Sequence, residues 1–308
     1  MTASARWARS SLADPVTRSA GALGRDAPGD STFGAARPAW LGGLGNVRNV
    51  VRQEMISRQL ARHLPEHPAR VLDVGAGQGT QSIRLARAGH LVLAVEPDPD
   101  MRAAFRAALD GEPGQVRDRV VVREGSVGRL AAVTGGEAYD VVLLLGVLMY
   151  LPASPPVIAE LAAHVAPGGF IALAIRTTTS ALWRPAARQD WRSALAAFDE
   201  HDTARAEGRD MGYLNEIGTP ARADDLETIT AAAAAAGLAL ENWYGVRIAV
   251  DPDELDPAPP SDPSQLAALL DVEERLGATD PYRQLGQLAH LILRKTAGRQ
   301  AVSAYPDR

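Results

Sequence analysis

Residues 71–81 read VLDVGAGQGTQ, an apolar run followed at once by glycines at 75, 77 and 79. Glycines spaced this way after a strand-like segment let backbone come close to a ligand at the strand's carboxyl end, because a residue without Cβ takes the left-handed conformations a tight loop needs. A dinucleotide-binding turn wants G-x-G-x-x-G, its third glycine against the helix that faces the pyrophosphate. Here the third glycine comes one residue early and Thr80 stands in its place, so the loop Gly75-Ala76-Gly77-Gln78-Gly79 suits a smaller ligand lying across the turn. Asp73, two residues before Gly75, adds a carboxylate that favours a positive group and would repel a pyrophosphate. Glu96 closes the next apolar segment, HLVLAVE, where an acid can accept the hydroxyl protons of a ribose, and Pro97 ends that segment. Asp73, Gly75, Gly77, Gly79 and Glu96 together describe a site for an adenosine-containing cation. The plain alternative is a ligand-free strand-to-helix turn with Glu96 as a helix cap.

Such a site needs a framework, and the chain supplies an alternating one. Asn46 opens a helical pattern with Val47, Val50, Val51, Met55, Ile56 and Leu60 near one face, ended by Pro65. Strand-like and helical segments then alternate through RVLDVG, QSIRLARAG, HLVLAVE, PDMRAAFRAAL, RVVVREG, YDVVLLLG, PPVIAELAAHV and GGFIALAIR. Apolar strands unbroken by polar residues predict a parallel sheet covered on both faces. The rhythm breaks over 177–222, expected to be a lid or substrate-binding insertion, and resumes with ADDLETITAAAAAAG, LALENWYGVRIAV, LAALLDVEERL and LAHLILRK. The predicted fold is a Rossmann-like α/β fold, a mostly parallel seven-stranded sheet with an antiparallel last strand and a helical lid insertion. Residues 1–38 and 297–308 are expected to be tails, the first disordered; 39–70 a leading helix and cap; 71–176 a cofactor-binding core; and 223–296 the completion of the sheet.

Composition narrows the function classes. The 308 residues include no cysteine, which removes disulfides, thiol nucleophiles, cysteine zinc sites and iron–sulfur clusters; no metal site is expected. The longest apolar run, residues 141–151, is far short of the roughly 20 residues that span a bilayer, and the N-terminus has no apolar core of a secretory signal, so a cytoplasmic protein is expected. A net charge of −5 argues against a non-specific nucleic-acid coat, although residues 1–62 carry nine arginines against Asp14, Asp26, Asp30 and Glu54.

The motifs in their order resemble the class I S-adenosylmethionine-dependent methyltransferases. DVGAGQG is similar to their first motif, Glu96 to their ribose-binding acid, AYDVVLLLGVLMYLP to the fourth-strand motif, and HVAPGGFIALAIR to the segment leading into strand five. A narrower resemblance, over residues 45–296, is to the tRNA methyltransferases that esterify 5-carboxymethoxyuridine: GNVRNVVRQEMISRQL resembles their leading helix, and GVRIAVD with LLDVEERLGATDPYRQLGQLAHLILRK their C-terminal strand, helix and strand. The resemblance implies S-adenosylmethionine as cofactor, met by Arg48, Asp73, Gly75, Ala76, Gly77, Gly79, Glu96, Ser126, Val127 and Leu145. An Arg48 guanidinium can grip the methionine carboxylate with two parallel hydrogen bonds. Three features depart from the narrower family: Leu145 stands where it has histidine, Ile248-Ala249-Val250 replace its FHD, and the Pro/Asp-rich loop DPDELDPAPPSDPSQ that follows has no counterpart in it.

Candidates for a general base are Tyr150, at the end of the fourth apolar strand, and His290, in the apolar segment LAHLILRK, where a buried hydrogen-bonded histidine is the competing assignment. Trp183, Trp191 and Tyr213 could stack on a flat acceptor or pack on the sheet, and Arg184, Arg188, Arg192 and Arg222 could bind phosphate, though Asp190, Asp199, Glu200 and Asp202 lie among them. The expectation carried forward is a methyltransferase acting on oxygen or nitrogen of a small metabolite. The alternatives are a tRNA carboxymethoxyuridine carboxyl methyltransferase and a non-catalytic S-adenosylmethionine sensor.

Overall fold

The computed structural model describes residues 37–215, 218–250 and 258–296. Most of the expected first tail, the expected last tail and residues 251–257 of the Pro/Asp-rich loop lie outside the described residues. In chain order the elements are helices α1 (Arg37–Gly42) and α2 (Val47–Ala61), strand β1 (Arg70–Val74), α3 (Thr80–Arg87), β2 (Leu91–Glu96), α4 (Pro99–Asp110), α5 (Gly114–Arg117), β3 (Val120–Glu124), α6 (Leu130–Thr134) and β4 (Tyr139–Leu145). A 3-10 turn (Leu148–Tyr150) leads to α7 (Ser154–Ala163) and β5 (Val165–Ile175). Then come α8 (Thr178–Ala187), α9 (Trp191–Glu207), β6 (Met211–Leu214), β7 (Pro220–Ala223), α10 (Leu226–Ala235), β8 (Leu238–Val246), α11 (Pro263–Ala278), a second 3-10 turn (Tyr282–Leu285) and β9 (Leu288–Lys295).

Seven strands form one sheet in the order β3-β2-β1-β4-β5-β9-β8, with β9 antiparallel to both of its neighbours and the other pairings parallel. Successive side chains of a strand point to opposite faces. Leu72 and Val74 of β1 join a core with Leu144, Ile158, Leu161 and Ile229, whereas Val71 of the same strand joins another with Leu143, Ile83 and Phe105. Both faces are thus covered by helices, which is why the strands are apolar at nearly every position. Helix α2 begins where the Asn46 side chain accepts the Asn49 N–H at 2.9 Å, and it buries Val51, Met55 and Ile56 against Met149, Ala174 and Val246.

Two features differ from the expectation. Helix α1 starts at Arg37, two residues inside the stretch expected to be a tail. The insertion is not only helical: MGYL and PARA pair as a two-stranded antiparallel hairpin, β6–β7. Neither strand carries an alternating apolar pattern, so periodicity was silent on them.

One buried acid holds the far edge of the sheet. After β8 the chain passes through Arg247 with φ 61, unusual for a residue with a side chain, and the next three amide N–H groups turn inward. The fully buried Glu273 of α11 accepts all three at 2.8 Å, Ile248 on Oε2 and Ala249 and Val250 on Oε1. These contacts use backbone alone, so the turn tolerates Ile248-Ala249-Val250. Glu273→Ala, which strands three inward donors, is expected to lower the unfolding free energy by about 3 kcal/mol or more, while Ile248→Ala costs roughly 1 kcal/mol or less. Urea unfolding of both variants checks this; equal small losses would show that the turn does not depend on the carboxylate.

Candidate functional site

The strand order turns outward in both directions from the β1/β4 pair, the place in an open sheet where diverging loops leave a crevice at the carboxyl ends. The glycine loop fills one side of it. Gly75, Gly77 and Gly79 all take positive φ (69, 58 and 84), but they do so for different reasons. A Cβ on Gly75 would lie 2.5 Å from Val147 Cγ2, and one on Gly79 would run into the Phe105 ring. Those two glycines are demanded by packing of the loop against the turn after β4 and against α4. At Gly77 a Cβ would lie 3.3 Å from the end of Met101, so here the left-handed backbone is the main constraint.

Gly77 donates its N–H to Glu96 Oε2 at 2.8 Å, and Asp98 donates its N–H to Oε1 at 2.9 Å. Glu96 therefore ties the end of β2 to the loop after β1. Each of its oxygens takes one N–H, and a carboxylate has about four lone-pair positions, so two remain for hydroxyl donors. Asp98 then caps α4, accepting from Asp100 and Met101, and Pro99 occupies its first turn. Arg102 of that helix donates to the carbonyls of Glu96 and Pro97 and pairs with Glu124 at 2.8 Å, locking the ends of β2 and β3 together.

Asp73 does not stand open at the crevice as the sequence suggested. It is buried, and Ser82 of α3 donates its hydroxyl to Oδ2 at 2.6 Å, so it anchors the helix that follows the loop. Burial pushes its pKa up to about 6, with the nearby Glu96 charge adding to the shift against the Ser82 hydrogen bond. Burial also raises the Glu96 carboxyl above its ordinary range, opposed by the two backbone donors. Two acids of this kind favour a positive charge nearby, which eases their ionisation.

The remaining expected contacts fall around this core. Arg48 is buried on α2. Ser126 and Val127 are half-buried beyond β3, and Leu145 is the last residue of β4, opposite Ala174 of β5. The Leu145 side chain packs against two apolar clusters. His290 lies fully buried inside the sheet, its Nδ1 2.9 Å from Gln59 Oε1, and desolvation drops its pKa to about 3. Tyr150 lies in the turn after β4, its hydroxyl accepting from Asn215 Nδ2 at 2.8 Å.

The insertion reaches over that turn. Tyr213 donates its hydroxyl toward Met149 Sδ at 3.6 Å, and the Arg176 guanidinium sits 5.0 Å from its ring. Of the arginines that could hold phosphate, Arg222 is buried, donating to the carbonyls of Leu148 and Leu151 and to Ser154, and pairing with Asp224 and Asp210. Arg184 is likewise buried, donating to the carbonyls of Arg247 and Leu285. These two are structural ties rather than a surface for phosphate. Trp183 and Trp191 are exposed. Among the described residues no group of three or more His, Asp or Glu could hold a metal ion, and no helix is long and apolar enough to cross a membrane.

A methyltransferase domain family matches residues 49–242. A ubiquinone biosynthesis O-methyltransferase of Methylobacterium nodulans is 30% identical over 166 residues, which cover 46% of this chain and 64% of that protein. One of the same description from Xanthomonas axonopodis pv. citri is 34% identical over 133 residues, covering 43% and 52%. The matches thus span less than two thirds of these relatives' own length. Among solved structures, a magnesium protoporphyrin IX methyltransferase of Synechocystis with bound SAH aligns with a TM-score of 0.55 at 15% identity, over 87% of this chain and 98% of that one. A SAM-dependent methyltransferase of Thermotoga maritima aligns at 0.52 with 16% identity, over 86% and 98%. At these identities the likeness is one of fold.

The donor set fits S-adenosylmethionine: Glu96 keeps acceptor capacity for ribose hydroxyls beside a loop whose Gly77 has no Cβ. Glu96→Ala is expected to weaken its binding at least about tenfold, the scale of lost charge-assisted hydrogen bonds; unchanged affinity in a calorimetric titration would remove Glu96 from the ribose. Asp73 adds a pH dependence. Its folded pKa lies above the ordinary carboxyl value, so its contribution to stability is fully present below about pH 4 and is lost as pH rises through about 6. Relative to Asp73→Asn, the protein is expected to lose about 3 kcal/mol between pH 4 and 7, and parallel curves from urea unfolding would contradict the buried acid.

Proposed function

The chain belongs to the methyltransferase domain family, and from that premise we propose that it moves the methyl group of S-adenosylmethionine to an oxygen or nitrogen of a small metabolite. The observation that carries the small acceptor is the β6–β7 hairpin, which is pinned over the turn after β4 by Arg222, Tyr213 and Asn215. A roof at that point narrows the approach to the end of β4. Charge supports the same reading. Arg184 and Arg222 of the insertion are tied inside the protein, and Arg209 is paired with Glu200 and Glu207, which takes these three cations away from any groove for a polynucleotide.

When bound, S-adenosylmethionine supplies an electrophilic methyl on a sulfonium, open to in-line displacement. The protein's part is then proximity, orientation and exclusion of water. Glu96 and the glycine loop fix the nucleoside end, and the two buried acids favour the positive charge. The hairpin and the turn after β4 set the approach of the acceptor. The Tyr150 hydroxyl, which accepts from Asn215, would be the group that orients an acceptor. His290 takes no part: it is enclosed in the sheet and remains neutral across the physiological range. A carboxylate acceptor would need no base, being ionised already, whereas a hydroxyl would.

The tRNA reading keeps one support, the C-terminal strand, helix and strand similar to those tRNA enzymes, with Glu273 holding the altered turn by backbone contacts alone. Transfer of labelled methyl into total tRNA and into a small-molecule extract of the same cells separates the cases. Label is expected in the extract and not in tRNA. Base-labile label in tRNA would overturn the small-acceptor reading, and label in neither, with S-adenosylmethionine still bound, would leave a binding protein without transfer.

A further inference from the structure

Helix α1 is short and lies in a stretch rich in small residues, yet its Trp40 side chain is tied in two directions. Trp40 donates its indole Nε1–H to Gln78 Oε1 at 3.2 Å, and Gln78 in turn donates to Thr80 Oγ1 at 2.9 Å. The tryptophan is therefore attached to the glycine loop itself. Its ring also carries the Arg52 guanidinium, whose central carbon is 4.2 Å from the ring centroid. Arg52 in its turn reaches the other wall of the crevice: a Cβ built on Gly146, the residue after β4, would stand 3.7 Å from Arg52 Nη1. Gly146 has φ 78, so its backbone favours glycine, and the guanidinium lies in ordinary contact range of the position. Gln78, Trp40, Arg52 and Gly146 thus form a strap from the loop after β1 to the end of β4.

The direction of the ligand follows from the sheet order. Glu96 marks the ribose at the end of β2, on one side of β1, and β4 lies on the other side. A molecule held by its ribose at Glu96 and laid across Gly75 and Gly77 ends near Gly146. In S-adenosylmethionine that far end is the amino acid, with its carboxylate. We propose that Arg52 binds this carboxylate, alongside Arg48 one turn earlier on the same face of α2, and that Trp40 is the positioning residue that holds the Arg52 guanidinium in place. This inference rests on the reading of the crevice as the S-adenosylmethionine site and adds to it the group that reads the amino-acid end. A guanidinium stacked on an indole loses less freedom when it pairs with an anion, because its plane is already set.

The test titrates the purified full-length protein with S-adenosylmethionine, S-adenosylhomocysteine and 5′-methylthioadenosine, the last of which keeps the nucleoside and lacks the amino acid. Arg52→Ala is expected to weaken the first two ligands about tenfold or more and to leave methylthioadenosine within about twofold. Arg52→Lys, which keeps the charge but loses the fork, is expected to fall between. Trp40→Ala is expected to show the same selectivity with a smaller loss, and the double variant to lose no more than Arg52→Ala alone, as coupled residues do. Equal losses for all three ligands would assign Arg52 to packing and overturn the proposal, as would unchanged affinities in Arg52→Ala. Failure of the unaltered protein to bind any of the three would instead sink the cofactor site on which the proposal stands.

Discussion

A carboxylate at the end of one strand fixes the loop after its neighbour: the bond from Gly77 N–H to Glu96 is the contact on which the rest of the site depends. Gly75 and Ala76 already donate to the Val95 carbonyl of β2, and the Glu96 bond extends that tie to the middle of the loop. The bond also has an electrostatic consequence. Burial raises both Glu96 and Asp73, and the Glu96 charge makes Asp73 harder still to ionise. The protein holds this unfavourable pair in place through Ser82 and two backbone amides, which makes the crevice receptive to a positive ligand and poorly suited to a pyrophosphate.

Around that centre the structure uses arginine mainly as a tie between backbone carbonyls. Arg102 joins the ends of β2 and β3, Arg222 joins the hairpin to the turn after β4, and Arg184 joins α8 to the far edge of the sheet. A planar group with five donors can satisfy several carbonyls where chain ends converge, which lysine cannot do as well. The abundance of arginine and the single lysine, which at first suggest anion binding or composition alone, acquire in these cases a structural use. The same habit reduces the surface positive charge that a nucleic-acid partner would need.

The sheet was legible in the sequence because both of its faces are buried, so that each strand reads as an unbroken apolar run and each covering helix as a periodic one. The loop and Glu96 were legible because their spacing is local. What escaped notice was set by distance along the chain or by weak local preference. Glu273 caps a turn that ends 23 residues before it, and Gln59 meets His290 across 231 positions; no spacing rule joins either pair. The hairpin strands are four residues each and include Pro220 and Gly212. Asp73 was recognised as important, but its partner Ser82 lies in the helix beyond the loop, and only the fold shows the acid turned inward. The glycines were read as room for a ligand, whereas at 75 and 79 the room is already occupied by Val147 and Phe105.

On this reading the crevice suits an adenosine-bearing cation and not a dinucleotide. Calorimetric titration of the protein with S-adenosylmethionine and with NADH, at neutral pH and fixed salt, tests it most directly. Saturable binding of S-adenosylmethionine with NADH about a hundredfold weaker or more is the expected result. Comparable binding of NADH, or none of S-adenosylmethionine, would contradict it.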